Sequence, residues 1–172
     1  MTMNKNITNI LPLAVFLALI FTLAGLLLRP ESVQMISKPM PPLALEGLRA
    51  EDIHGPALVN FFASWCTPCR AEHEMLKTLA EKNNIRIYGI AYKDKRADTE
   101  KYLRDLGNPY EKTGHDDNGK AFIDWGLSGV PETFVIDREG NIRLHHAGVL
   151  LEEHIDGIIL PTLNELGMTD EK

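Results

Sequence analysis

The hydrophobic pattern changes abruptly along the chain. Ile10 to Leu28 runs 19 residues without a charged side chain, ILPLAVFLALIFTLAGLLL. As a helix this stretch would rise about 28 Å, close to the ~30 Å hydrocarbon thickness of a bilayer. Pro12 and Gly25 sit near its ends, where they do little harm. The pattern predicts a transmembrane anchor over 10–28, preceded by a short tail over 1–9. A cleaved signal peptide would have a shorter apolar core and a small-x-small cleavage site. The segment Ala24-Gly25-Leu26-Leu27-Leu28-Arg29-Pro30 offers no Ala-x-Ala, and no cysteine follows for lipid attachment. Lys5 precedes the apolar run, and Arg29 and Lys38 follow it, so basic residues do not choose a side. A short tail without acidic residues is easily left in the cytoplasm, which would place everything after residue 29 outside. Pro30, Pro39, Pro41 and Pro42 then exclude a helix and predict an extended tether over 29–42.

Beyond residue 43 the pattern alternates between strand and helix periods. Ala57–Ala63 is a short apolar run after the turn His54-Gly55-Pro56, hence a buried strand. Cys66–Lys82 reads as a helix, with Met75, Leu76 and Leu79 at helical spacing. Ile85–Ala91 is β-rich and alternating. Arg96–Leu106 is helical and stops at Gly107-Asn108-Pro109. Asn118–Trp125 predicts a short helix. Thr133–Asp137 and Ile142–His146 are strands joined by Arg138-Glu139-Gly140-Asn141, a hairpin. Leu151–Leu166 is a final helix that Pro161 is expected to kink or split. Strand–helix–strand units require parallel pairing, and the closing hairpin is antiparallel. One α/β domain over 43–172 results, a mixed sheet flanked by helices.

Charge narrows the partners. Residues 1–29 hold Lys5 and Arg29 but no acid, so 16 basic residues face 24 acidic ones in the remainder, a formal −8. Such a surface repels phosphate backbones and argues against nucleic acid. Asp116-Asp117-Asn118-Gly119 lacks a full calcium ligand set and reads as a turn.

Chemistry concentrates at Trp65-Cys66-Thr67-Pro68-Cys69, which holds the chain's only two cysteines. A bridge between residues so close in sequence closes a small ring and stabilises little. Redox chemistry suits the position better. The strand ends near Ala63 and the helix starts at the cysteines, where unpaired N–H groups and about half a positive charge favour a thiolate. The Cys66 thiol is therefore expected below the ordinary value of about 8.5, exposed, and able to attack a disulfide. Cys69, one turn deeper on the same face, can resolve the mixed disulfide. Pro68 suits the first helical turn. No cofactor is needed beyond the Cys66–Cys69 disulfide itself. A copper or zinc carrier using Cys66, Cys69 and His73 is the alternative of a different class. The second half of a zinc site is missing, because adjacent His145 and His146 alternate across a strand.

The sequence resembles the thioredoxin-like superfamily, and within it the CcmG/DsbE family of membrane-tethered cytochrome c biogenesis proteins. The resemblance rests on Asn60-Phe61-Phe62-Ala63-Ser64-Trp65-Cys66-Thr67-Pro68-Cys69-Arg70-Ala71-Glu72-His73, then Tyr92-Lys93-Asp94 and Leu106-Gly107-Asn108-Pro109-Tyr110. Gly129-Val130-Pro131-Glu132-Thr133-Phe134-Val135-Ile136-Asp137 and His146-Ala147-Gly148 complete it, and it covers roughly residues 39–165. It implies a thioredoxin-like fold and a cis Val130-Pro131 peptide facing the cysteines. Val130 would then pair with a bound client strand, beside Trp65, Thr67 and Pro68 in a partner groove. It makes Glu132 a partner-selecting carboxylate at that groove. Ordinary thioredoxins place an Asp where Asn60 stands, and Asn60 cannot take a proton. Glu72 lies three residues past Cys69 on the same helix face, so it is the candidate to take the Cys69 proton. The resemblance further implies a bacterial inner-membrane protein with a periplasmic catalytic domain. It would reduce the haem-binding cysteines of apocytochrome c, directly or through a partner thiol protein, with electrons from a membrane donor of the DsbD/CcdA type. A general extracytoplasmic reductase with other clients stays open. The residues alone leave the direction of electron flow open, since reductants and oxidants share Cys-x-x-Cys.

Overall fold

A computed structural model describes residue 12, residues 14–23 and residues 32–167. The chain divides into two compact units, Met1–Pro30 and Glu31–Lys172. In the first, residues 14–23 are helical and exposed. No helix among the described residues is long and apolar enough to cross a membrane. The predicted tail over 1–9 lies outside the described residues, as does much of the predicted anchor over 10–28.

The second unit is built on a six-stranded mixed sheet. Its strands are β1 (Ser32–Pro39), β4 (Ala57–Phe62), β5 (Arg86–Tyr92), β6 (Lys112–Asp116), β7 (Glu132–Ile136) and β8 (Asn141–Ala147). The order is β1-β8-β7-β4-β5-β6. β4, β5 and β6 run parallel, while β7, β8 and β1 add antiparallel pairs. A small hairpin, β2 (Ala44–Leu45) with β3 (Leu48–Arg49), reaches the β6 edge through the bridge Glu46–His115. The helices are α1 (Thr67–Lys82), α2 (Arg96–Leu106) and α3 (Lys120–Asp124).

The C-terminal helix comes in three pieces: α4 (Glu152–His154), a π turn over Ile155–Ile159, and α5 (Leu160–Glu165). Pro161 is the cause of the split, because it has no N–H to offer the carbonyl one turn back.

Two apolar layers sandwich the sheet. One packs Leu58, Phe62, Ile87, Val135 and Leu144 under Leu76 and Leu79 of α1 and Ile155, Ile159 and Leu163 of the last helix. The other packs Val59, Phe61, Ile90, Phe134 and Ile136 against Leu48, Trp125 and Leu127. β4 is central and buried on both faces, which is why its sequence is apolar on both sides rather than alternating, with Asn60 its one polar residue.

Two expectations need correction. Residues 29–42 are not all tether: Ser32–Pro39 forms an edge strand antiparallel to β8, pairing Val33 with His146 and Lys38 with Ile142. Prolines that forbid a helix are tolerated at the ends of an edge strand, and Pro39 ends this one. The domain therefore begins before residue 43. β6 was also unpredicted, since Lys-Thr-Gly-His-Asp carries no apolar alternation. Its pairing is a backbone matter, aided by Gly114, where a Cβ would meet Leu48 Cβ at 2.8 Å.

Candidate redox site

β4 delivers the chain to the site, and a buried carboxylate fixes the link between this strand and α1. Asp94 accepts from the Ser64 N–H at 2.7 Å, the Ser64 hydroxyl at 2.8 Å and the Thr99 hydroxyl at 2.9 Å. Arg70 donates to the Ser64 carbonyl at 3.0 Å. Trp65 donates its indole N–H to the Lys93 carbonyl at 3.2 Å, yet stays 58% exposed. Its ring is thus held from one edge while a face remains open to solvent.

Cys66 is the N-cap of α1, with extended φ and ψ of −85° and 112°. Its Sγ accepts from the Cys69 N–H at 3.1 Å. That is where a capping oxygen would sit, so the first-turn amide and the helix dipole both favour negative charge on Sγ. Cys66 and Cys69 form a disulfide with Cα atoms 5.3 Å apart. Thr67 and Pro68 are exposed beside it. Cys66 is not as open as expected: the residue is 4% exposed and Cys69 2%. Cys66 packs into the core on the α1 side of the sheet, and the Val130 carbonyl sits 3.4 Å from its Sγ. The Val130–Pro131 peptide is cis, as expected, and faces the cysteines.

Glu72 is 1% exposed, so it is no solvated first-turn acid. Its Oε1 accepts from Asn60 Nδ2 at 2.9 Å and its Oε2 from the Leu150 N–H at 2.8 Å. Asn60 also donates to Thr133 Oγ1 at 3.0 Å and accepts from the Tyr110 hydroxyl at 2.8 Å.

Glu132 is placed otherwise than expected. Strand alternation puts Thr133 on the Asn60 side of the sheet and sends Glu132 to the other face. There it is buried and accepts from the Ser128 N–H (2.8 Å), the Ser128 hydroxyl (2.7 Å), the Gly129 N–H (2.9 Å) and His145 Nε2 (2.6 Å). Burial pushes its carboxyl up, but the bonds from His145, Ser128 and Gly129 outweigh this and hold it below the ordinary range. Glu132 therefore clasps the loop that carries Val130 and Pro131, and it shows no carboxylate to a partner.

His73 does not join the cysteines. Its Nε2 pairs with the Gly107 carbonyl at 2.8 Å and its Nδ1 with the Tyr102 hydroxyl at 3.0 Å. Burial lowers its pKa. No group of three His, Cys, Asp or Glu among the described residues could hold a metal ion. Asp116 is likewise structural, accepting from the Ala121 and Phe122 N–H groups at the start of α3.

Neither motif nor spacing assigns a role to Asp94, Tyr110 or His145. Asp94 and Tyr110 fall within the stretches that carry the family resemblance, and that was their only signal. His145 had none, because its partner Glu132 lies on the neighbouring strand.

The AhpC/TSA family profile matches residues 37–145. A thiol:disulfide interchange protein DsbE of Pasteurella multocida is 41% identical, over 95% of this chain and 98% of that protein. The protein of the same name from Pseudomonas fluorescens biotype C is 42% identical, over 86% of this chain and 88% of its own length. Among solved structures, a thio-disulfide isomerase from Thermus thermophilus superposes with a TM-score of 0.60 at 26% identity, covering 76% of this chain and 97% of that one.

Proposed function

Because this chain belongs to the DsbE family of thiol:disulfide interchange proteins, we propose that it is a membrane-anchored, periplasmic protein-disulfide reductase of cytochrome c maturation. Its client would be the haem-binding cysteine pair of an apocytochrome c, or a thiol protein acting on that pair. Its electrons would come from a membrane donor of the DsbD/CcdA type. The observation that carries the redox reading is Cys66 Sγ, capped by the Cys69 N–H at 3.1 Å with the Val130 carbonyl 3.4 Å away.

In the reduced protein, the Cys66 thiolate attacks one sulfur of the client disulfide. A bond forms between Cys66 and that sulfur, and the other client sulfur leaves as a thiolate. Cys69 loses its proton to Glu72 and attacks Cys66 Sγ. The second client sulfur leaves, and Cys66–Cys69 closes. Two electrons pass to the client, and the donor supplies two more that reopen the Cys66–Cys69 disulfide. Trp65, Thr67 and Pro68 border the approach, and the Val130 backbone offers an extended client strand a partner. The apolar run Ile10 to Leu28 supports the anchor.

The first test is the redox state of Cys66 and Cys69 in growing source cells, by acid quench and thiol alkylation. Mostly reduced thiols, turning oxidised when the membrane donor is lost, are expected. A pair oxidised at steady state would overturn the reductase direction.

A further inference from the structure

We propose that Tyr110 is a positioning residue for the resolving step: its hydroxyl fixes the orientation of the Asn60 amide, and that amide holds Glu72 as the acceptor of the Cys69 proton. The inference rests on the proton-accepting role proposed for Glu72 and adds what sets that role.

Donors and acceptors decide the orientation. Asn60 is fully buried in the middle of β4, with one oxygen and one nitrogen to place. Its nitrogen points at two acceptors, Glu72 Oε1 at 2.9 Å and Thr133 Oγ1 at 3.0 Å. Its oxygen points at the Tyr110 hydroxyl, 2.8 Å away. Turning the amide over would set its oxygen against Glu72 and its nitrogen against Tyr110. The Tyr110 proton would then lose its acceptor inside the protein, which is costly. The amide oxygen would favour Glu72 only if Glu72 carried a proton to donate. Tyr110 therefore selects the amide orientation that suits an ionised Glu72, and the Leu150 N–H at 2.8 Å supports the same form from the other oxygen.

Tyr110 can be relied on as a donor. Burial first, then the neighbouring Glu72, pushes its phenol well above the ordinary value of 10.0, so it keeps its proton. The ring is seated for this task. It stacks on Phe62 with centroids 4.7 Å apart and lies over Gly89, where a Cβ would meet Tyr110 Cγ and Cδ2 at 2.8 Å. Only a glycine on β5 lets the phenol come this close to Asn60. The elements around Glu72 carry titratable and charged groups that include Cys69, Arg70 and His73 on α1, Tyr102 on α2, and Tyr110. His146 on β8 pairs across the strands with Thr133, and its ring lies against His154, 4.5 Å between centroids.

The test reads two steps separately. The reduced full chain is mixed with dithiobis(nitrobenzoate) in stopped flow across a pH range. Cys66 attacks the aromatic disulfide and releases one thionitrobenzoate. Cys69 then attacks Cys66, releases the second, and closes Cys66–Cys69 as its proton goes to Glu72. In Tyr110→Phe, which keeps the stacked ring, the pH midpoint of the second release should move up by about one unit, the equivalent of one buried hydrogen bond. The midpoint of the first release should stay. In a Glu72→Gln background the same substitution should move nothing. Asn60→Ala, which removes a donor to Glu72 without touching the Tyr110 ring, should shift the second midpoint in the same direction. If Glu72→Gln removes the second-step titration but neither Tyr110→Phe nor Asn60→Ala moves it, the Tyr110 proposal falls and the Glu72 role stands. A Tyr110→Phe shift that persists beside Glu72→Gln also overturns it. If Glu72→Gln itself leaves the second step unchanged, the Glu72 role fails and this inference fails with it.

Discussion

A buried carboxylate that accepts four hydrogen bonds stabilises a fold only while it is ionised. Glu132 is such a group, with its acceptors filled by Ser128, Gly129 and His145. Its folded pKa lies below the ordinary 4.5. Its contribution is therefore fully present above about pH 4.5 and is lost as pH falls through the lower, folded value. Glu132→Gln should cost about 1.5–3 kcal/mol at neutral pH, the range for bonds to a charged group. The gap between the two proteins should narrow in acid. Urea midpoints measured from pH 7 to pH 3 check this, and a constant gap would sink the account. Cys66 and Cys69 were legible because their chemistry is carried by residue type and spacing, whereas the cis Val130–Pro131 peptide was legible only through the family resemblance. The side of the sheet to which Glu132 turns was not. Adjacency to Pro131 suggested the groove, while strand parity sends the side chain away from it.

At the scale of elements, α1 works because its first turn is presented correctly, and Asp94 does the presenting. It sits just past β5, yet it holds Ser64, the link between β4 and α1, by both backbone and side chain. Asp94→Ala leaves the Ser64 and Thr99 donors without their buried partner. We expect a loss of about 1.5–3 kcal/mol and a slower first exchange step, since Trp65 and Cys66 come directly after Ser64. Thermal melting and the rate of the first thionitrobenzoate release measure the two effects. A full loss of stability with an unchanged first rate would show that Asp94 holds the fold but not the thiol. Helical periodicity made α1 and α2 legible, because each needs only one apolar face. β6 was illegible for the opposite reason. Its polar residues are kept in the sheet by backbone pairing with β5, and no side-chain period records that.

For the molecule as a whole, β1 joins the outside of the sheet to the thiols. Gln34 and Val33 pair with His145 and His146 on β8, His145 meets Glu132, and Glu132 holds the loop whose Val130 carbonyl faces Cys66. The proline pattern assigned these residues to a tether, since an edge strand held mostly by backbone bonds resembles a linker in sequence. The two descriptions differ in what truncation does. A chain starting at Glu31 keeps β1, while one starting at Leu43 exposes the edge of β8. Six registered pairs at ~0.2–1 kcal/mol each imply a loss of roughly 1–6 kcal/mol for the shorter chain. An open β8 edge also invites pairing between copies. The chain from Leu43 should therefore melt lower and aggregate more readily. Its exchange with a client disulfide should slow further when His145→Gln is added. A tether would behave differently: both chains would melt together and exchange at one rate, and β1 would then have no part in placing the loop before Pro131.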